Sequence, residues 1–162
     1  MDEKVTAVVL AVLVGVGVFA GSQTFFTNRV VEPFSELGVL GPKMKISDYP
    51  RELIVGEPFT LYLYVGNHEG WMMYYAVLVK LGNKTTSISD EEPMDVPAFA
   101  RYEVMLLDGK NWTRSVTLSV EDPGVNYRIV FELWVYNEGV RDFEYHGRWV
   151  QLWLNVTRPA VP

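Results

Sequence analysis

Tyr127-Arg128-Ile129-Val130-Phe131-Glu132-Leu133-Trp134-Val135-Tyr136 is the stretch that decides the fold. Side chains alternate between the two faces of a strand. Tyr127, Ile129, Phe131, Leu133 and Val135 therefore share one face, and Arg128, Glu132, Trp134 and Tyr136 share the other. The charges assign the second set to water, so the first set is core. The last long run, Arg148 to Thr157, repeats the pattern. Val150, Leu152, Leu154 and Val156 face one way. Trp149, Gln151, Trp153, Asn155 and Thr157 face the other.

The same alternation recurs upstream. Phe59, Leu61, Leu63 and Val65 alternate with Thr60, Tyr62 and Tyr64, and Gly66-Asn67-His68-Glu69-Gly70 reads as a turn. Met73 to Leu81 is a further strand closed by Gly82-Asn83. Tyr102 to Leu107 follows the acidic loop Asp90-Glu91-Glu92-Pro93. Asp108-Gly109 is a hairpin signal leading into Trp112 to Val120, and Asp122-Pro123-Gly124 is another turn. Short strands at this spacing, with no helical period after residue 30, predict an all-β, immunoglobulin-like β-sandwich.

Composition agrees. The chain has 162 residues, 49% hydrophobic and 21% charged, which is one folded domain rather than a disordered segment. A net charge of -6 argues against nucleic acid as a partner. The absence of cysteine removes disulfides, thiol nucleophiles and thiolate-ligated metals.

The amino-terminal segment predicts the compartment. Val5 to Phe26 is 22 residues without a charge, long enough as a helix to cross a bilayer core of about 30 Å. A cleaved signal peptide competes with this reading, because Val18-Phe19-Ala20 has acceptable spacing for signal peptidase. The acids Asp2 and Glu3 beside Lys4, and the apolar run beyond Ala20, favour a single transmembrane anchor. Ala7, Ala11 and Gly15 recur every four residues, and Gly17 and Gly21 form a further small pair, which suits packing against another membrane helix. Asn83-Lys84-Thr85, Asn111-Trp112-Thr113 and Asn155-Val156-Thr157 are glycosylation acceptor patterns. Used as such, they place the C-terminal domain outside the cell and the N-terminus in the cytoplasm. The expected organisation is a cytoplasmic tip and anchor at 1–27, a lead-in segment broken by Pro and Gly at 28–50, the sandwich at 51–158, and a tail at 159–162.

An outward aromatic set follows from the strand alternation: Trp134, Tyr136, Trp149 and Trp153. Clustered exposed aromatics mark contacts. Protein, sugar rings and the lipid headgroup layer are the three candidates, and a bulge that flipped the strand would turn the tryptophans into the core instead. Catalytic signals are few. His68 and His146 have no second ligand at metal-binding spacing, no serine sits in a nucleophile elbow, and no phosphate-binding loop exists. Asp90, Glu91, Glu92 and Asp95 read as a solvated loop rather than a calcium site. No catalytic, cofactor or metal residue is expected.

From Phe34 onward the chain resembles the extracytoplasmic domain of an archaeal membrane-protein family, domain of unknown function 1616. The resemblance rests on Phe34-Ser35-Glu36-Leu37, Leu40-Gly41-Pro42, Asp48-Tyr49-Pro50, Val55-Gly56-Glu57 and Asn67-His68-Glu69. It resumes at Tyr145 and Leu152-Trp153-Leu154-Asn155-Val156. It implies an archaeal source and an outward-facing domain, and it carries no catalytic residues. Family members often have several membrane helices before this domain, whereas one is found here, so the chain is expected to rely on other membrane-protein subunits. The expectation is a non-catalytic, single-pass accessory subunit of an envelope complex, such as an oligosaccharyltransferase or translocation assembly. A surface glycan-binding module is the alternative, and a membrane-anchored enzyme a third.

Overall fold

A computed structural model describes residues 12–14 and 32–159, and Val12 to Val14 are helical. The expected transmembrane anchor at 5–26, with Ala7, Ala11, Gly15, Gly17 and Gly21, otherwise lies outside the described residues. Among the described residues no helix is long and apolar enough to cross a membrane.

Eight strands follow: β1 Phe34–Leu40, β2 Glu52–Ile54, β3 Phe59–His68, β4 Met73–Gly82, β5 Ala98–Leu106, β6 Asn111–Leu118, β7 Gly124–Asn137 and β8 Asp142–Thr157. They form two sheets, β1-β3-β6 and β2-β8-β7-β4-β5. The pairings are antiparallel except β2 with β8. Residues on the inner faces make one core. Leu61, Leu63 and Val65 of β3 meet Tyr75, Val77 and Val79 of β4 and Ile129, Phe131 and Leu133 of β7, all without solvent exposure. Burying each such side chain contributes about 1.5–3 kcal/mol. The alternation of Ile129, Phe131 and Leu133 is thus the core face that the sequence pattern predicts.

Several expectations change. The segment 28–50 is more than a lead-in, because Phe34–Leu40 pairs along β3 from Phe34↔His68 to Leu40↔Tyr62. That same pairing extends β3 through Gly66, Asn67 and His68, so the turn expected there begins only after His68. Asp108-Gly109 does not close a hairpin: β5 and β6 lie in different sheets, and the turn carries the chain across the sandwich. A turn signal reports that the chain reverses, not which sheet receives it.

The fourth change concerns Glu132, expected in water but fully buried. The segment from residue 83 to 97 folds over part of the outer face of the five-stranded sheet, covering Glu132 and Lys80 and leaving Trp153 exposed. Lys80, at the neighbouring position on β4, pairs with Glu132 at 2.9 Å. The Met94 amide donates to Glu132 at 2.7 Å, and Lys80 donates to the Met94 carbonyl at 2.7 Å. Trp134 Nε1 also donates to Glu132, at 3.0 Å. Every polar group of the buried pair is met, which is the condition under which such a pair is tolerated.

β8 starts six residues earlier than Arg148. Its register against β7 shifts between Glu132/Trp149 and Trp134/Tyr145. Gly147 sits at this bulge with φ +84, and a Cβ there would meet the Asp90 carbonyl oxygen. A left-handed backbone under close cover requires glycine.

Candidate functional site

Two regions gather chemically capable side chains. The first is the outer face of β7 and β8. The bulge at Gly147 precedes Trp149 and Trp153, so both keep the outward orientation that strand alternation assigns them. Arg128 of β7 lies over both rings, 5.5 Å from the Trp149 ring centre and 5.6 Å from that of Trp153. Its guanidinium is fixed by Gln151 Oε1 at 2.5 Å and by the Thr86 carbonyl at 3.0 Å. Trp149 is half-buried, whereas Trp153 stays 41% exposed. The other two predicted contact residues part from them. Trp134 lies against Tyr145 and Lys80 beneath the covering segment. Tyr136 packs with Tyr74 and Phe143, and Arg101 caps the Phe143 ring at 4.6 Å. The structure therefore resolves one expected patch into an open Trp–Arg–Trp stack and two half-covered clusters.

Tyr145 hydroxyl donates to the Ser89 carbonyl at 2.8 Å. Burial, with Glu132 and Asp90 nearby, pushes its pKa up to about 12, so it remains a donor at any physiological pH. The acids Asp90, Glu91 and Glu92 belong to this covering segment, where Ser89 Oγ accepts the Glu91 and Glu92 amides. Among the described residues no three His, Asp or Glu side chains are grouped to hold a metal ion.

The second region is the end of the sandwich where β1, β4, β6 and β8 begin and β3, β5 and β7 finish, hereafter the loop end. Ser35 and Asn67 are fully buried there. Ser35 Oγ donates to Glu69 at 2.6 Å and lies 2.8 Å from the Tyr75 hydroxyl. His146 Nε2 lies 3.7 Å from the same Glu69 carboxylate, and His146 Nδ1 is buried without a partner. Burial holds the His146 imidazole below its usual pKa, against the pull of Glu69. The order of groups is Ser, carboxylate, imidazole. A hydrolytic triad needs the imidazole in the middle, touching the serine. Here the serine is also sealed from solvent, so this cluster organises structure.

Asn67 shows what it organises. Its Nδ2 donates to the carbonyls of Trp71 at 2.8 Å and Leu106 at 2.9 Å, and its Oδ1 accepts the Glu69 amide at 3.0 Å. Its backbone bonds Lys110 and Gly109. One side chain thereby ties the loop after β3 to the loop after β5. A groove of about 790 Å³ opens beside them, walled by Trp71, Met72, Tyr74, Met105, Tyr136 and Glu144. Sequence patterning alone missed Ser35, Asn67, Glu69, Tyr75 and His146 as a group. The resemblance contained the signal: its scattered pieces at 34–37, 67–69 and 145 meet at this end.

The three acceptor asparagines are on the surface. Asn83 and Asn111 are exposed. Asn155 is half-exposed, and its amide donates to Glu52 at 2.8 Å.

The sequence matches the family described as Domain of unknown function (DUF1616) over residues 29–155. The chain belongs to this family. No curated protein matches it. Among solved structures, this DUF1616 member is similar to a beta-glucosidase from Listeria innocua, with 19% identity and a TM-score of 0.44, over 76% of this chain and 16% of that one. The chain thus spans under a fifth of that enzyme's length. It is also similar to the CARDB domain of a Pyrococcus furiosus protein, at 13% identity and TM-score 0.48, covering 79% and 96%. A third likeness is to a chain of the complex between zinc 2-glycoprotein and prolactin inducible protein from human seminal plasma, at 9% identity and TM-score 0.46, covering 82% and 100%. None of these likenesses bears on chemistry.

Proposed function

We propose that this DUF1616 domain is a membrane-tethered, outward-facing docking module with no chemistry of its own, an accessory subunit that binds a membrane-protein partner. The observation that carries the reading is the Trp149–Arg128–Trp153 stack on an open sheet face. Trp and Arg are the side chains that dominate protein–protein hot spots, and they do so when neighbours hold them in place. Arg128 is held by Gln151 and Thr86, and Trp153 keeps its exposure.

The charge-free run at 5–26 supports the tether, and the surface acceptor patterns at Asn83 and Asn111 support an outward location. A sugar-stacking platform needs open ring faces, and Arg128 lies over a face of both rings, which favours protein over glycan. A photo-crosslinking amino acid in place of Trp153, used in native membranes, tests the reading. One discrete adduct with a membrane protein is the expected result; a smear or no adduct contradicts it.

A further inference from the structure

The outer-face stack leaves one feature of the sandwich unused. The loop end displays five large apolar side chains: Trp71 at 60% exposure, Met72 at 54%, Met105 at 58%, Leu107 at 61% and Val140 at 58%. Four come from the three connections β3–β4, β5–β6 and β7–β8, and Met105 from the finish of β5. They are not loosely held. Asn67 bonds Trp71 and Leu106, and the Gly70 amide donates to Asp108 at 2.9 Å, joining two of the loops. The Asn137 side chain accepts the Gly139 amide at 2.8 Å, bracing the loop that carries Val140. A rigid display of Trp, Met, Leu and Val in water costs solvation and indicates a second phase that receives it.

The chain itself indicates which phase. β1 begins at this end, with Phe34. The apolar run finishes at Phe26, eight residues before. At no more than about 3.6 Å per residue, that tether reaches about 29 Å. The tether holds Phe34, at the loop end, within that reach of the end of the apolar run.

From the tether and the apolar loops, we infer that the loop end rests in the interfacial layer of the membrane, with Trp71, Met72 and Leu107 among the lipid headgroups. This rests on the reading of residues 5–26 as an anchor. Trp is the residue suited to that layer, with an apolar body and a polar N–H. Exposed Asp108, Glu138, Asp142 and Glu144 outnumber exposed Lys110 and Arg141 around the patch. This excess of acid disfavours an anionic lipid and fits a zwitterionic one, whose headgroups carry no net charge, so added salt should have little effect.

The protein lacks cysteine, so single cysteines report cleanly. The full chain, reconstituted in phosphatidylcholine vesicles, is labelled with an environment-sensitive dye in turn at Met72→Cys, Leu107→Cys, Ile46→Cys and Val12→Cys. Nitroxide lipids serve as quenchers. The expected result is severalfold stronger quenching at 72 and 107 than at 46, unchanged by added salt. Quenching at 72 and 107 as weak as at 46, with the dye at 12 deep in lipid, overturns the inference while leaving the anchor standing. A dye at 12 that reports water overturns both.

Discussion

Trp153, His146 and Asn67 are three residues whose environments make distinct demands. Trp153 is outward and 41% exposed, so Trp153→Ala should cost about 1 kcal/mol or less in stability. A core tryptophan would cost about 3–5 kcal/mol, and chemical denaturation separates the two. His146 is held neutral by burial, with Arg148 adding to that effect and Glu69 opposing it. The unfolded chain takes up a proton near pH 6.5 that the folded chain resists. The unfolded state then binds more protons, so stability falls as pH drops through that value and levels off below the folded one. His146→Gln should flatten this slope, read from denaturation midpoints between about pH 7.5 and about pH 5; an unchanged slope would assign it to other groups. Asn67→Ala leaves one buried and two part-buried backbone groups without the side chain's hydrogen bonds, the buried one at about 1–3 kcal/mol before relaxation. Its destabilisation should therefore exceed that of Trp153→Ala, although Asn67 is much the smaller side chain.

Strands rather than residues explain what could be read in advance. β7 was legible because Ile129, Phe131 and Leu133 alternate without interruption. β8 was legible only from Arg148, because Gly147 breaks the alternation and no local signal announces that the strand resumes on its far side. Glu132 was misassigned for a different reason. Alternation says which side chains share a face, not whether another segment covers that face. The covering segment is held by Lys80, Glu132 and both backbone groups of Met94. Glu132→Ala leaves Lys80 buried without its partner and should cost about 3–5 kcal/mol. Replacing Lys80 and Glu132 together by Met and Leu should cost less than Glu132→Ala alone. If the double variant is the less stable of the two, the unpaired charge is not the source of the cost.

The sandwich as a whole places its parts so that one end and one face remain available. The end collects three of the pieces on which the family resemblance rests, at 34–37, 67–69 and 145, and an apolar fringe. The face carries the Trp149–Arg128–Trp153 stack. Neither was legible as a unit, because both assemble from strands distant in sequence: Arg128 pairs opposite Trp153 through the β7–β8 register, and Asn67 bonds the carbonyls of both Trp71 and Leu106. Asn83 and Asn111 are exposed, so Asn83→Gln and Asn111→Gln should each raise electrophoretic mobility in the native host by one glycan. Absence of both shifts would remove the outward placement.

The docking role is tested most directly by affinity purification of the tagged full chain from native membranes in mild detergent, comparing it with the Arg128→Ala, Trp153→Ala variant. The account predicts a stoichiometric membrane-protein partner with the unaltered chain and its loss from the variant, with folding retained. Recovery of the unaltered chain alone, or a partner that stays bound to the variant, would contradict it.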